Sequence, residues 1–274
     1  ASLSDAQCGQ LRSFVARGGS LIATSETSLE DEWGVRRPEF GLADLFGASW
    51  KGRFEGPMKN SYVRLEHERF PKHALLRGLE DAPRIINGVW RVDVAQNSFP
   101  ADSPLTLIPS YPDLPMEKVY PRRARTDTPE VFLRDGPGSG RVVYFPWDID
   151  RTYWEVLSVD HGKLMQNAVA WATNEEPPVW VKGQGVVDVT FWRQKASLTV
   201  HLVNLTNPMM MKGPIRELMA VGEQNVRVRV PDGLEVRGVH LLVAGGTPEY
   251  SKAGEWLKVR VPSILAHEVI GIDT

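Results

Sequence analysis

Acidic and aromatic side chains follow a short apolar strand in the middle of the chain. Residues 141–151 read Arg-Val-Val-Tyr-Phe-Pro-Trp-Asp-Ile-Asp-Arg, and a helical pattern begins where this segment ends. In open α/β sheets, ligands bind in the crevice at the carboxyl ends of the strands. The residues that this segment would place in such a crevice are Asp148, Asp150, Arg151 and Trp154.

A second loop of similar character follows the apolar strand Leu21–Thr24. Its charged and aromatic residues are Glu26, Glu30, Asp31, Glu32, Trp33 and Arg37. If the two strands are neighbours, both loops lie at one edge of a shared crevice. Two opposed carboxylates are the groups that hydrolyse glycosidic bonds. The candidates for such a pair are Glu26, Asp31, Asp148 and Asp150.

Two other interpretations of these loops remain open. In the first, the acidic residues form a solvated rim, and Asp148 or Asp150 caps the helix that follows. In the second, the loops bind a polar ligand such as a carbohydrate, because tryptophan rings stack on sugar faces and arginines donate to hydroxyl groups. The tryptophans in question are Trp33, Trp147 and Trp154, and the arginines are Arg37 and Arg151.

The sequence offers little support for other kinds of site. Cys8 lies inside a predicted helix, whereas a cysteine or serine nucleophile on an elbow needs a strand-to-helix turn. None of the six histidines has the His-x-x-x-His spacing of a metal site, so no metal or cofactor is predicted. Gly136–Gly140 precedes a strand instead of a helix, which is the wrong context for a phosphate-binding loop.

Two further motifs have no function that the sequence reveals. Asn204–Thr206 matches the N-glycosylation triplet by pattern only, and Met209–Met211 falls in a loop between strands.

Composition restricts the class of protein. The chain has 274 residues, which favours two domains. It is 42% hydrophobic and 24% charged, as expected of a soluble globular protein, and both the cytoplasm and the periplasm are compatible with this composition. A net charge of −2 gives no basic excess for nucleic acid or an anionic membrane. The apolar runs are too short to span a bilayer, and a single cysteine excludes an intrachain disulfide.

The first half of the chain has the pattern of an α/β protein. Ser4–Gln7 forms a capping box, Leu11, Phe14 and Val15 follow at helical spacing, and Gly18 supplies a stop before the strand at Leu21. A short helix is predicted at Leu42–Phe46 and a longer one at Gly162–Thr173. Because a parallel sheet normally opens with a strand, we expect this half to begin in mid-fold and to lack its first strands.

In the second half of the chain, the spacing of the apolar residues changes from a helical period to a strand period. Asn174–Pro178 combines a helix stop with two charges and two prolines, which is typical of a linker. Beyond it, apolar residues alternate at period two, which predicts a β-sandwich. The predicted strands are Val187–Trp192, Ser197–Val203, Val226–Val230, Val239–Val243, Trp256–Val261 and Glu268–Ile272.

Several of these segments resemble a known family. Leu3–Thr24 resembles the class I glutamine-amidotransferase-like domain and, more closely, the trimerisation domain that follows the catalytic barrel in family 42 β-galactosidases and related glycosidases. Gly140–Arg151 and Gln166–Trp171 are similar to the closing strand and helix of that domain. Leu198–Asn204 and Pro262–Val269 are similar to the small β-sandwich at the carboxyl end of these proteins.

The resemblance implies both an architecture and a role. It implies a flavodoxin-like three-layer domain, N-terminally incomplete, over residues 1–176, and an immunoglobulin-like sandwich over 177–274. No residue matches the amidotransferase cysteine, and the catalytic glutamates of the β-galactosidases lie in a barrel that this chain does not contain. The resemblance therefore implies a non-catalytic accessory and oligomerisation region of a bacterial glycoside hydrolase.

The implied partners are the chain's own catalytic barrel or missing N-terminal segment, further copies of itself, and carbohydrate, but neither nucleic acid nor membrane. Two alternatives to this interpretation stay open. One is a carbohydrate-binding module that uses the acidic and aromatic crevice. The other is a hydrolase with a carboxylate site of its own.

Overall fold

The computed structural model describes residues 1–97, 103–135, 140–207 and 215–274. Of the features predicted above, residues 136–139 of the glycine-rich turn and Met209–Met211 lie outside these ranges. The chain divides into two compact units, Ala1–Glu175 and Glu176–Thr274.

The first unit is mixed α/β. Its helices in the described residues are α1 (Asp5–Ala16), α2 (Ala43–Phe46), α3 (Ile149–Val156) and α4 (Val159–Thr173). Its strands are β1 (Leu21–Thr24), β2 (Ala48–Glu55), β3 (Tyr62–Leu65), β4 (Arg84–Ile86), β5 (Arg91–Gln96), β6 (Leu105–Ile108), β7 (Phe132–Arg134) and β8 (Val142–Phe145). Short 3₁₀ turns occur at Ala74–Leu76 and Met116–Lys118.

The strands of this unit form three small sheets, in the orders β1-β8-β7, β2-β5 and β4-β3-β6. Only the β1–β8 pair is parallel among these described ladders. The coarse expectation of an α/β half is confirmed, but its parallel part is small. Strand β8 is buried on both faces, with Val143 and Phe145 in one core cluster and Val142 and Tyr144 in another.

Local sequence signals account for α1. The Ser4 hydroxyl accepts the backbone N–H of Gln7 at 3.1 Å, and the Gln7 side chain accepts the backbone N–H of Ser4 at 2.8 Å. This reciprocal pair is the predicted capping box. The helix gives way to Gly18, whose φ of 96° is a conformation that glycine adopts without a steric penalty.

The helical segment after β8 is longer than predicted and is interrupted. Leu157 has a φ of 53°, which ends α3, and α4 starts two residues later at Val159, before the predicted Gly162. None of the helices in the described part of the chain is long and apolar enough to cross a membrane.

The second unit is all β and antiparallel. Its strands are β9 (Val179–Gly183), β10 (Val187–Arg193), β11 (Ser197–Asn204), β12 (Gln224–Arg229), β13 (Gly238–Leu241), β14 (Glu249–Ala253), β15 (Trp256–Val261) and β16 (His267–Asp273). They form two four-stranded sheets, ordered β10-β11-β16-β13 and β14-β15-β12-β9. Inward-facing residues of both sheets, such as Val200, Val228, Leu257 and Ile270, share one buried cluster, so the sheets pack face to face.

The glycosylation triplet in this unit has a structural use. Asn204 is buried, and its side-chain amide donates to the carbonyl oxygens of Met219 at 2.7 Å and Leu265 at 2.8 Å. Its Oδ1 accepts the backbone N–H of Thr206 at 3.0 Å. The amide is therefore committed to the fold.

Candidate functional site

The register of β1 and β8 brings the two predicted loops to one sheet edge. Thr24 is paired with Phe145 at the carboxyl ends of these parallel strands. Just beyond, the backbone N–H of Ser25 donates to the Phe145 carbonyl at 2.8 Å, and the Tyr144 hydroxyl donates to the Ser25 carbonyl at 2.8 Å. Strands β1 and β8 are therefore neighbours, which is the condition that a shared crevice requires.

Three carboxylates of the first loop, Glu26, Glu30 and Asp31, are engaged within that loop. Nη2 of Arg36 lies 2.9 Å from Oε2 of Glu26 and 3.2 Å from Oε1 of Glu30. Oδ1 of Asp31 accepts the backbone N–H groups of Trp33 and Val35, both at 2.9 Å. These contacts stabilise the conformation of the loop, so Glu26 and Asp31 have a structural role in it.

Arg37 and Trp33 of the same loop have opposite environments. The Arg37 guanidinium pairs with Oδ1 of Asp5 at 2.6 Å and donates to the Leu3 carbonyl at 2.8 Å, which ties the loop to the start of α1. Trp33 is 84% exposed. Arg37 therefore positions the loop, whereas Trp33 is free to contact a ligand.

Asp148 on the second loop faces inward. Its Oδ1 accepts the backbone N–H of Trp90 at 3.0 Å, and its own N–H donates to the Trp90 carbonyl at 3.2 Å. Its Oδ2 is buried with no hydrogen-bond partner in the described residues. Burial raises the pKa of the Asp148 carboxyl above its usual value, because desolvation penalises the charged form.

Asp148 occupies the N-cap position of α3 without making the predicted cap. Its side chain forms no cap hydrogen bond to the backbone of α3; Oδ1 accepts the Trp90 N–H and, at 3.4 Å, the Thr152 hydroxyl. The segment that contains Trp90 passes close by because Gly88 has no side chain: a Cβ there would collide with Oδ1 of Asp148.

The remaining candidates of the second loop lie on α3 and are exposed. Asp150 is in the first turn, and Arg151 pairs with Glu155 at 3.0 Å along the helix. Trp154 is 64% exposed. Trp147, the third tryptophan considered for stacking, is fully buried, and its indole N–H donates to the Glu130 carbonyl at 3.0 Å, so that assignment is wrong.

A buried charged cluster lies beside this loop and was not predicted. Nε of Arg91 is 2.6 Å from Oε1 of Glu130, and both side chains are almost completely buried. Nη1 of Arg91 also contacts Oε2 of Glu55 at 3.2 Å. Burial raises the pKa of Glu130 to about 7, although the Arg91 charge opposes this shift. No spacing could have revealed the pair, because its members are far apart in the chain and meet only through the sheets.

Three of the four candidate carboxylates, Glu26, Asp31 and Asp148, are engaged with other groups of the protein. Glu26 is held by Arg36, Asp31 is held by backbone amides, and Asp148 is turned into the protein. The described residues also contain no cluster of three or more potential ligands that could hold a metal ion. The predicted site residues that are exposed at this rim are Trp33, Asp150, Arg151 and Trp154.

Comparison with known proteins gives a fold but no family. No protein-family model and no curated protein matches the sequence. Among solved structures, α-L-fucosidase isoenzyme 2 from Paenibacillus thiaminolyticus is similar over 99% of this chain and 39% of its own, with a TM-score of 0.68 and 14% identity.

Two β-galactosidases are similar in the same way. The GH42 enzyme Gan42B from G. stearothermophilus matches over 99% of this chain and 30% of its own, with a TM-score of 0.58 and 14% identity. The β-galactosidase from Bacillus circulans sp. alkalophilus matches over 99% and 31%, with a TM-score of 0.59 and 11% identity. The chain thus spans 30 to 39% of the length of these enzymes and has the fold of that part of them.

Proposed function

We propose that this chain is a non-catalytic accessory region of a glycoside hydrolase and acts with a catalytic barrel elsewhere in the parent protein. The observation that carries the proposal is the structural match of 99% of the chain to about a third of the length of three such enzymes. The engagement of Glu26 and Asp31 within their own loop also supports a non-catalytic role.

The proposal extends to the two parts of the chain. Residues 1–176 form a flavodoxin-like, class I glutamine-amidotransferase-like domain of the trimerisation type, and residues 177–274 form an immunoglobulin-like sandwich. The first part associates with further copies of itself, as the resemblance noted above implies. The parallel β1–β8 pair and its helices support the first assignment, and the two packed antiparallel sheets support the second.

Light scattering coupled to size-exclusion chromatography tests the assembly role. We expect the chain, and the parent protein that contains it, to elute as an oligomer whose mass does not fall on tenfold dilution. A strict monomer at every concentration would contradict the assembly role.

Assays with a panel of aryl glycosides test whether the chain alone has glycosidase activity. We expect no turnover by the chain alone. The contrary result would be turnover that is lost in Asp148→Asn but retained in Asp150→Asn, a variant at an exposed position. That result would show that the chain is a hydrolase with a carboxylate site of its own.

A second candidate function is carbohydrate binding at the rim, which the exposure of Trp33 and Trp154 favours. Exposed tryptophans offer a flat apolar face with a polar edge. Calorimetry with galacto-oligosaccharides would compare Trp33→Ala and Trp154→Ala with Trp192→Ala, a similarly exposed tryptophan of the second unit. Loss of binding in the first two variants alone is expected, and equal binding in all three would exclude the rim.

A further inference from the structure

The outer face of the β14-β15-β12-β9 sheet carries polar residues in cross-strand rows. The ladders place Trp180, Arg227, Lys258 and Ser251 in one row and Lys182, Asn225, Arg260 and Glu249 in the next. These residues line an open concavity of about 540 Å³. Each row crosses four strands, a width of about 14 Å at the usual strand spacing.

The positive charge of this face is only partly compensated. Arg260 is paired with Glu223 at 2.6 Å and with Glu249 at 3.0 Å. The nearest carboxylate to Arg227 is Glu176, at 3.7 Å. In the part of the chain that the structure describes, Lys182 and Lys258 have no carboxylate within ion-pair distance, and both are exposed.

The register places two of these cations directly opposite each other. Arg227 is the cross-strand partner of Lys258. Like charges at directly opposed positions destabilise an antiparallel pair. A bound anion between them would reverse that repulsion, because arginine and lysine both donate charge-assisted hydrogen bonds to carboxylate or sulfate oxygens.

The aromatic residues of the face restrict the kind of anion. Trp256 is covered by Arg227 at 4.4 Å and Arg229 at 5.3 Å from its ring centroid. Trp180, next to Arg227 in its row, is 40% exposed and has an accessible face. A site for single-stranded nucleic acid has several aromatic rings on which successive bases stack, and a protein-binding site has a larger apolar centre. The exposed ring of Trp180, beside Lys182 and Lys258 that have no carboxylate partner among the described residues, suits a short ligand with an apolar face and acidic groups.

We propose that this sheet face binds an acidic oligosaccharide. Arg227 and Lys258 hold a carboxylate or sulfate group of the ligand, Lys182 holds a second acidic group, and a sugar ring stacks on Trp180. The site consists of residues of the second unit alone, and it does not depend on the accessory role proposed above.

Isothermal titration calorimetry of the full chain with trigalacturonate tests the proposal. We expect Lys258→Gln to weaken binding about tenfold, the effect of one charge-assisted hydrogen bond. The matched control is Lys195→Gln, which removes an exposed lysine from the β10–β11 turn and leaves binding unchanged. Equal affinities of the two variants would overturn the proposal, as would equally tight binding of neutral galactotriose.

Two further measurements distinguish a saccharide site from a simple anion site and from a nucleic-acid site. Trp180→Ala is expected to weaken trigalacturonate binding but to leave the binding of sodium sulfate unchanged, and Trp192→Ala changes neither. Thermal denaturation of Lys258→Gln is expected to show a melting temperature equal to or above that of the wild type, since the substitution relieves a like-charge pair. Binding of sulfate without trigalacturonate, or tighter binding of oligothymidylate than of trigalacturonate, would contradict the saccharide assignment.

Discussion

The carboxylate of Asp148 accepts a hydrogen bond from the backbone N–H of Trp90, with 3.0 Å between Trp90 N and Asp148 Oδ1. This contact joins the end of the central strand to a segment far away in the sequence. It explains why Asp148, one of the four candidate carboxylates, is turned into the protein, where its second oxygen has no hydrogen-bond partner among the described residues.

Substitution of Asp148 tests the role of this contact. We expect Asp148→Ala to lower the free energy of unfolding by about 1–2 kcal/mol, because the Trp90 N–H loses its acceptor. Asp148→Asn keeps Oδ1 and removes a partly desolvated charge, so its unfolding free energy at pH 7 should stay within about 0.5 kcal/mol of the wild type. Urea unfolding followed by tryptophan fluorescence measures both. A larger loss in the asparagine variant than in the alanine variant would show that the charge itself is required.

Gly88 is expected to tolerate no side chain. A Cβ at this buried position would collide with Oδ1 of Asp148 and lie 3.0 Å from Cε3 of Trp147. We therefore expect Gly88→Ala to destabilise the protein by about 1–3 kcal/mol in urea unfolding. The control is Gly9→Ala in α1, where nothing lies within 4 Å of the added methyl. That substitution should stabilise the protein by up to about 1 kcal/mol, because alanine is the better helix former.

The Arg91–Glu130 pair predicts a pH dependence of stability. The folded-state pKa of Glu130 is raised from 4.5 to about 7. Between these values the folded protein retains a proton that the unfolded chain releases, so the contribution of this group falls as the pH rises from about 4.5 to about 7 and is constant above.

Glu130→Gln provides the reference for this measurement. The wild-type free energy of unfolding minus that of the variant should decrease across this pH interval, by at most about 1.4 kcal/mol per pH unit. Chemical unfolding at several pH values measures the difference and cancels the contributions of other acidic groups. A difference that grows with pH would show that the Arg91 charge outweighs desolvation at Glu130.

Cys8 is expected to be unreactive in the folded protein. Its side chain is 2% exposed, and burial raises the pKa of the thiol above its usual value, so little thiolate is available to attack a reagent. Ellman's reagent should label one thiol per chain in concentrated urea and label the native protein only at the rate of its opening. Rapid stoichiometric labelling in native buffer would mean that α1 separates easily from the core around it.

Six strands of the second unit were recognised from their apolar alternation, whereas β9 and β14 of that unit and β2 of the first unit were not. Trp256–Val261 was predicted with the bounds that the structure has, because its inward positions alternate without interruption. Strand β14 escaped notice because all five of its residues are exposed at a sheet edge. Strand β2 was missed because its pairing with β5 shifts register between Trp50 and Phe54, which breaks period two.

The candidate site was recognised from sequence only in part. The sequence placed both loops at strand ends, and the neighbouring positions of β1 and β8 bring those loops to one edge as expected. It could not show that Arg36 neutralises Glu26, or that Trp147 is fully buried. Those outcomes depend on which side chains meet across loops, and loop conformation is not encoded in a short periodic pattern.

The sequence by itself determined the local features of this protein: the capping box at Ser4 and Gln7, the change of period after Pro178, and the inward faces of the sandwich strands. These depend on residues a few positions apart, whose contacts are set by helix and strand geometry. The tertiary structure alone decided that Asp148 faces Trp90 and that Arg227 lies opposite Lys258. Each of these pairs joins distant segments, and their meeting depends on sheet register and core packing, which arise only when the whole unit folds.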